Sequence, residues 1–254
     1  MGMTIDLNCD VDESSAARPN APEAGAMASI TSANVACGLH AGDPTLMRWT
    51  VRLARDAGVA VGAHPGLSDR AGSGRVESRV SPEEVEDLVL YQIGALAAIA
   101  SSEGVPLSHV KAHGALYNMA ARDRALAGAL ARGVRAFNPS LVLFGMAGSE
   151  MLAAGAAARL CVAAEGFADR GYEPDGTLTP RSRQGAILHD PDVVVPRAVR
   201  MVLEGAVAAT DGSEILLRVD TVCIHGDTPG SAELARAVRL GLERAGISVA
   251  RFRG

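Results

Sequence analysis

One residue stands out for the chemistry it offers: Lys111 is the only lysine among 24 lysine and arginine residues. It lies between two histidines in the run His109-Val110-Lys111-Ala112-His113. An ammonium is a compact charge whose pKa responds to burial, whereas a guanidinium stays charged. The pattern indicates a site that needs an ammonium, although an arginine-favouring composition that retains one lysine by chance explains Lys111 equally well.

Other titratable side chains share one position, at the end of a short apolar run and beside a glycine or proline. Continuous apolar runs of this length are typical of strands buried on both faces, as in a parallel sheet. We interpret these residues as candidate acids, bases or ligands, and His113 or Glu165 as the group that orients water. The candidates are Asp10, His40, His64, Lys111, His113, Glu165 and His225.

A histidine taken singly is more often a hydrogen-bonded structural residue. That interpretation is kept for His109 and His189, which do not share the strand-end position. Four histidines that follow four predicted strands indicate a common site instead.

Helical signals follow most of these predicted strands, which is the rhythm of repeated βα units. Asp43-Pro44 and the capping box Ser81-Pro82-Glu83-Glu84 mark two helix starts. A barrel of seven or eight units, forming a single domain over residues 1–254, explains the pattern best, and its strand ends would meet at one mouth. The helices are predicted at 43–58, 81–104, 123–138, 149–158, 191–209 and 231–245.

Composition narrows the function classes. The chain has 254 residues, 48% of them hydrophobic, with a net charge of −5 and 3% aromatic residues, which disfavours nucleic-acid binding. Residues 88–100 are too short and interrupted to predict a membrane span. The cysteines form no CxxC pair, fall inside predicted strands and indicate buried residues of a reducing, cytoplasmic protein. They are Cys9, Cys37, Cys161 and Cys223.

Several motifs together carry a family resemblance. They are Asp-Leu-Asn-Cys-Asp at 6–10, Gly-Ala-His-Pro-Gly at 62–66, His-Val-Lys-Ala-His-Gly-Ala-Leu-Tyr-Asn at 109–118, and the longer run at 32–44. The later runs at 165–172, 176–181 and 223–227 match as well. Over nearly its whole length, the chain resembles the LamB/YcsF family.

The resemblance implies a distorted (β/α) barrel similar to the polysaccharide deacetylases. It also implies a role beside two partner subunits that together open 5-oxoproline to glutamate with ATP as co-substrate. The sequence has no phosphate-binding loop of the GxxxxGK[ST] type, so ATP is expected on a family-specific site or on a partner. Candidate substrate- and phosphate-binding residues are Asn8, Asn34, Asp169, Arg170, Arg181 and Asp227.

The chain departs from the family pattern where Asp12 replaces a glycine after the first strand. Two alternatives therefore stay open. The first is a stand-alone metal-dependent amidohydrolase or deacetylase, whose metal would be held by Asp10, His40 and His64 because imidazole and carboxylate groups suit zinc, manganese or iron. The second is a non-catalytic scaffold for the partner subunits.

Overall fold

Seven parallel strands close into a barrel in the part of the chain that the computed structural model describes, residues 2–11, 25–225 and 230–254. Strand β1 (Thr4–Val11) pairs with the last barrel strand, β9 (Thr221–His225), in the register Asp10↔His225, and this pairing completes the ring. The predicted (β/α) barrel is confirmed. In barrel order the strands are β1 (Thr4–Val11), β2 (Ser32–Ala36), β3 (Ala60–His64), β4 (Leu107–Lys111), β5 (Val142–Met146), β6 (Cys161–Phe167) and β9 (Thr221–His225).

Helices connect most of these strands, and local capping chemistry sets where they begin. Asp43 accepts hydrogen bonds from two first-turn backbone amides, and Ser81 with Glu84 forms the predicted capping box. Asp123 caps a third helix in the same way. The helices are α1 (Pro44–Ala57), α2 (Pro82–Ser102), α3 (Gly114–Arg122), α4 (Arg124–Phe137), α5 (Glu150–Ala157), α6 (Pro191–Leu203) and α7 (Ser231–Arg244).

The prediction of a helix over 191–209 was wrong at its end. Helix α6 stops at Leu203, and Gly205 has a positive φ of 63° that breaks the helical path. The chain then forms an antiparallel hairpin of β7 (Ala206–Ala208) and β8 (Glu214–Leu216). Strand β5 and helix α3 were not predicted either, and a short strand β10 (Ser248–Val249) pairs with the start of β1.

Strand β1 shows that the inside of the barrel is polar. Asp6, Asn8 and Asp10 alternate with apolar residues along the strand, and all three are buried. Asn8 reaches side chains of β6 and β4, which are not neighbours of β1, so these alternate residues face the interior. The apolar residues of β1 consequently face the surrounding helices, where they join the hydrophobic core.

Helix α2, which was predicted over 81–104, is longer than the apolar stretch 88–100 from which no membrane span was predicted. Among the described residues it is one helix with the length and composition of a membrane span. Val85, Val89, Ile93 and Leu96 are all fully buried along one of its faces. Packing against the barrel therefore accounts for the apolar residues on this face of α2.

Candidate active site

Lys111 ends β4 and projects into the barrel, where only 2% of it is exposed. Its Nζ lies 2.8 Å from Asp10 Oδ1, 2.9 Å from Glu165 Oε1 and 3.0 Å from Cys223 Sγ. These partners come from three different strands. The ammonium therefore ties β4 to β1, β6 and β9 at the carboxyl end of the barrel.

The charges in this group stabilise one another. Burial opposes charge on Lys111, but the carboxylates of Asp10 and Glu165 outweigh it and hold the pKa of the ammonium well above its usual value. Burial likewise opposes charge on Asp10, but Lys111 and His64 hold the pKa of its carboxyl well below the usual range. Burial raises the pKa of the Cys223 thiol, which is neutral beside the ammonium. Lys111 and Asp10 thus form a buried ion pair.

A hydrogen-bonded layer lies beneath the ion pair. Asn34 Nδ2 donates to both Asn8 Oδ1 and Asp10 Oδ1, at 2.7 and 2.8 Å. His109 Nε2 contacts Asn34 Oδ1 at 2.8 Å, and burial lowers the pKa of His109 to about 3, so the ring is neutral. Asn8 Nδ2 donates to Glu165 Oε1 at 2.9 Å. The two asparagines, predicted to bind substrate, orient the charged groups from inside the barrel.

Glu165 has both carboxylate oxygens engaged. Oε1 accepts from Lys111 and Asn8, and Oε2 accepts from the hydroxyl of Tyr117 at 2.7 Å. Glu165 has no exposed surface. Of the two groups predicted to orient water, Glu165 is therefore placed to hold Lys111 rather than to face the cavity.

Three histidines form a second cluster beside Asp10. His64 Nδ1 lies 2.8 Å from the backbone carbonyl of Lys111, and His113 Nε2 lies 2.8 Å from that of Ser73. Both contacts require an N–H on the ring, because a carbonyl only accepts. With those two protons in place, His64 Nε2 and His113 Nδ1 lie 3.0 Å apart. They form a hydrogen bond only when one of these two atoms carries a further proton.

His64 Nε2 also lies 3.5 Å from Asp10 Oδ2, so a proton held between the two rings would lie beside a carboxylate. The ring of His40 stacks on His113 with the centroids 4.0 Å apart. His40 lies in the loop four residues beyond the end of β2 and joins the cluster through this stacking.

His225 ends β9 and is oriented by a buried carboxylate. Asp169 accepts from the backbone amide of His225 at 2.8 Å and lies 3.1 Å from its Nδ1. Burial opposes charge on Asp169, but His225 holds the pKa of its carboxyl below the usual value. With Nδ1 directed at Asp169, Nε2 is the ring atom that faces the cavity, 4.0 Å from Asp10 Oδ2. In its neutral form a ring held this way presents the Nε2 lone pair to a water molecule.

A cavity of about 910 Å³ opens above these groups. Its walls include five of the seven strand-end candidates and two predicted binding residues, namely Asp10, His64, Lys111, His113, His225, Arg170 and Arg181. Glu165, Asn8 and Asn34 lie beneath it, and Asp169 lies behind His225. Asp227 and the loop around Asp12 lie outside the described residues.

Two contributors were missed from the sequence. Tyr117 stands on α3, a helix that was not predicted, and it lies within the family-like run at 109–118. Cys223 has the sequence context of a small core residue, and its position between apolar residues gives no sign that it faces Lys111. Cys161 was expected to be buried but is exposed at the start of β6.

The donor set does not fit a divalent cation well. Among the described residues, Asp10, Cys223 and His225 each offer a ligand atom, and these atoms lie within 4.8 Å of one another. The ammonium of Lys111 lies at hydrogen-bonding distance from the first two. It would repel a metal ion there. His40, one of the predicted ligands, belongs to the stacked histidine pair instead.

Comparison with known proteins places this barrel in a family. The model of the LamB/YcsF family matches residues 5–254, and the chain belongs to that family. The A component of 5-oxoprolinase from Methylococcus capsulatus is 52% identical over 254 residues, which cover 100% of this chain and 98% of the relative. The protein of the same name from Symbiobacterium thermophilum is 54% identical over 245 residues, covering 96% and 94%.

A solved structure agrees with the fold. The lactam utilization protein from Thermus thermophilus is 49% identical and superposes with a TM-score of 0.90. The match covers 98% of this chain and 100% of that protein. The described residues, from β1 to β10, thus follow an architecture that is already seen in a crystal.

Proposed function

We propose that this chain is a subunit of a cytoplasmic, ATP-dependent 5-oxoprolinase that cleaves 5-oxo-L-proline to L-glutamate. The names of relatives about half identical over the full length support this activity. The observation that carries the proposal is the Asp169–His225 pair facing Asp10 across the floor of the cavity. A volume of about 910 Å³ accommodates a small lactam together with a transferred group.

The chemistry explains why ATP is coupled to the reaction. A five-membered lactam is a resonance-stabilised amide, and transfer of the terminal phosphoryl group of ATP to its carbonyl oxygen makes the carbonyl carbon more electrophilic. Water adds to that carbon, the ring C–N bond breaks with the nitrogen leaving as the protonated amine, and a second water cleaves the resulting acyl phosphate to glutamate and phosphate. Negative charge then develops on the phosphoryl group and on the tetrahedral carbon, where fixed donors and cations stabilise it most.

In this proposal His225 Nε2 accepts the proton of the attacking water. Asp169 stabilises the imidazolium that results, in the manner of the carboxylate of a hydrolase triad. The contact between His64 and His113 lies on the other side of Asp10, and a proton held there would be donated to the leaving nitrogen. Lys111 is a positioning residue, since its contacts go to protein groups and keep Asp10 ionised.

Activation of the lactam is assigned to an assembly. The sequence has no recognisable phosphate-binding loop, and the relatives bear the name of one component of a multi-subunit enzyme. We propose two partner subunits that contribute the ATP site, while this chain positions the water. The isolated chain is then expected to hydrolyse neither 5-oxoproline nor ATP at an appreciable rate.

The experiment is glutamate release from 5-oxoproline with ATP, measured for the chain alone and with the two partner subunits encoded by the same organism. Glutamate is expected only with all three. His225→Asn should lower the rate by about 10²–10⁴, whereas Arg132→Gln, at the exposed pair of Arg132 with Glu86 between α4 and α2, should leave it unchanged. No glutamate from the complete assembly would refute the activity. Full activity of His225→Asn would favour the scaffold alternative.

A metal-dependent amidohydrolase is the second candidate, because Asp10, Cys223 and His225 come together. The ammonium of Lys111 would repel a metal ion bound by these residues, which disfavours this candidate. Turnover of a simple amide by the chain alone, without ATP and only with added zinc or manganese, would support this candidate over the first.

A further inference from the structure

The segment between β6 and α6 forms one wall of the cavity and carries two arginines that line it. Arg170 is 5% exposed, and it donates from Nε to the carbonyl of Ala186 at 2.8 Å and from Nη2 to the carbonyl of Thr179 at 2.7 Å. These bonds fix the guanidinium in the wall. Arg181 lines the same cavity.

The charge of Arg170 is not neutralised by the surrounding protein. Both of its hydrogen bonds go to backbone carbonyls, and within the described residues no carboxylate oxygen lies within the 4 Å of an ion pair with it. Its neighbour Asp169 directs both carboxylate oxygens to His225. Burial and the nearby charge of Arg181 lower the pKa of Arg170 to about 10. A buried guanidinium with no carboxylate beside it is unfavourable unless an anion binds to it.

Other arginines around the cavity are different. Arg122 pairs with Glu77 at 2.6 Å and is 58% exposed, and Arg183 pairs with Glu173 at 3.0 Å and is 60% exposed. Their charges are met by carboxylates and by water. Arg170 differs from these two arginines because it is buried and its hydrogen bonds go to backbone carbonyls.

Thr179 adds a donor at the same place. It lines the cavity, is fully buried, and its Oγ1 has no hydrogen-bond partner among the described residues. A buried hydroxyl without a partner is costly in a folded protein. A ligand oxygen at this wall would satisfy it.

We infer that Arg170, Arg181 and Thr179 form an oxyanion-binding subsite in the wall of the cavity, apart from the Lys111 cluster on its floor. A guanidinium fork binds the paired oxygens of a carboxylate or a phosphoryl group. Two sources fit this chemistry if the proposed function holds: the carboxylate of 5-oxoproline and the phosphoryl group that activates its carbonyl. The subsite would hold the substrate so that its ring lies over Asp10 and His225.

Calorimetric titration of the full-length chain tests the subsite without requiring turnover. Three probes are used at constant ionic strength: inorganic phosphate, 5-oxoproline, and 2-pyrrolidinone, which is the same lactam without the carboxylate. Binding of 5-oxoproline but not of 2-pyrrolidinone assigns the subsite to the carboxylate. Binding of phosphate alone assigns it to the phosphoryl group. Binding of neither anion overturns the inference.

Variants connect the binding to the wall. Arg170→Gln is expected to weaken anion binding about 10- to 100-fold, which is the effect of losing a charged hydrogen bond. Thr179→Val is expected to weaken anion binding about tenfold without a loss of thermal stability, because the Thr179 hydroxyl makes no hydrogen bond within the described residues. This variant keeps the test decisive if Arg170→Gln fails to fold. Arg183→Gln, which removes the same charge from the exposed rim, should bind like the wild type.

Equal weakening by Arg183→Gln and Thr179→Val would mean that only the general charge of the cavity matters, and would refute the subsite. The outcome is separable from that of the proposed function. Anion binding that depends on Thr179, in an assembly that releases no glutamate, would retain the subsite and reject the activity. Glutamate release by an assembly containing Thr179→Val with an unchanged KM would retain the proposed activity and reject the subsite.

Discussion

Replacement of Lys111 by methionine is expected to destabilise the protein by about 3–5 kcal/mol at pH 7, the cost of removing one partner from a buried ion pair. The upper part of this range is expected, because Asp10 Oδ1 at 2.8 Å and Glu165 Oε1 at 2.9 Å both lose the ammonium. Methionine has nearly the same length and flexibility, so the effect reports charge rather than a cavity.

The double variant Lys111→Met with Asp10→Asn is the matched control. It removes the carboxylate that the single variant leaves buried without a counter-charge, and Asn34 and His64 remain to bond the new amide. We expect the double variant to be more stable than Lys111→Met alone, despite carrying two substitutions. Urea unfolding followed by circular dichroism measures both.

The pH dependence gives a second check on the same prediction. In the wild type the pKa of Asp10 is lowered on folding, so its contribution to stability is present above the unfolded value near 3.9 and is lost as pH falls through the folded value. The pKa of Lys111 is raised, so its contribution is lost only as pH rises above 10.5. The gap between wild type and Lys111→Met should therefore be widest near neutrality and narrow in acid. Equal stability at pH 7, or costs that simply add in the double variant, would refute the reasoning.

The remaining predictions concern the layer beneath the ion pair. Gly62→Ala should cost about 1–3 kcal/mol or more, because the new Cβ would meet His109 Nε2 at 2.1 Å. Gly94→Ala is the control: it lies in helix α2, where an added Cβ would meet no atom within 4 Å, so it should be neutral or stabilising by up to about 1 kcal/mol. Equal thermal unfolding midpoints for Gly62→Ala and Gly94→Ala would contradict this prediction. The pKa of His109 falls from 6.5 to about 3 on folding, so the unfolded chain binds more protons and stability drops as pH falls through this window. Between pH 7 and 5 the resulting loss in the free energy of unfolding is about 2 kcal/mol. The His109→Gln variant should therefore lose about 2 kcal/mol less stability than the wild type over this range. An equal loss in both proteins would show that His109 does not contribute to the acid response.

Helix starts and the barrel could be predicted from the sequence because both depend on local signals. Asp43, Ser81 and Asp123 cap the first turns of their helices whatever the rest of the chain does. Strand β5 was missed because it ends in Met146 and carries no titratable residue after its apolar run. The hairpin after α6 depends on tertiary pairing, and Gly205 alone was too weak a signal within an apolar stretch.

The candidate site was predictable in its location but less so in its roles. The rule that strand ends meet at one mouth brought Asp10, Lys111 and His225 together correctly. The rule does not say which side chains turn into the cavity and which are held beneath it, as Glu165 is. That distinction comes from contacts between distant strands, since the partner of Asn8 lies 157 residues away at Glu165.

The closure of the barrel between β1 and β9 has a consequence for how the chain reaches its folded state. Asp6 and its partner Thr221 are 215 residues apart, so the seam joins the beginning of the chain to a strand made near its end. During synthesis β1 must wait with one edge unpaired until β9 leaves the ribosome, and unpaired strand edges are sites of aggregation. Loss of β9 by truncation would expose that edge permanently. Such a truncated chain should be recovered as aggregates rather than as a shorter barrel.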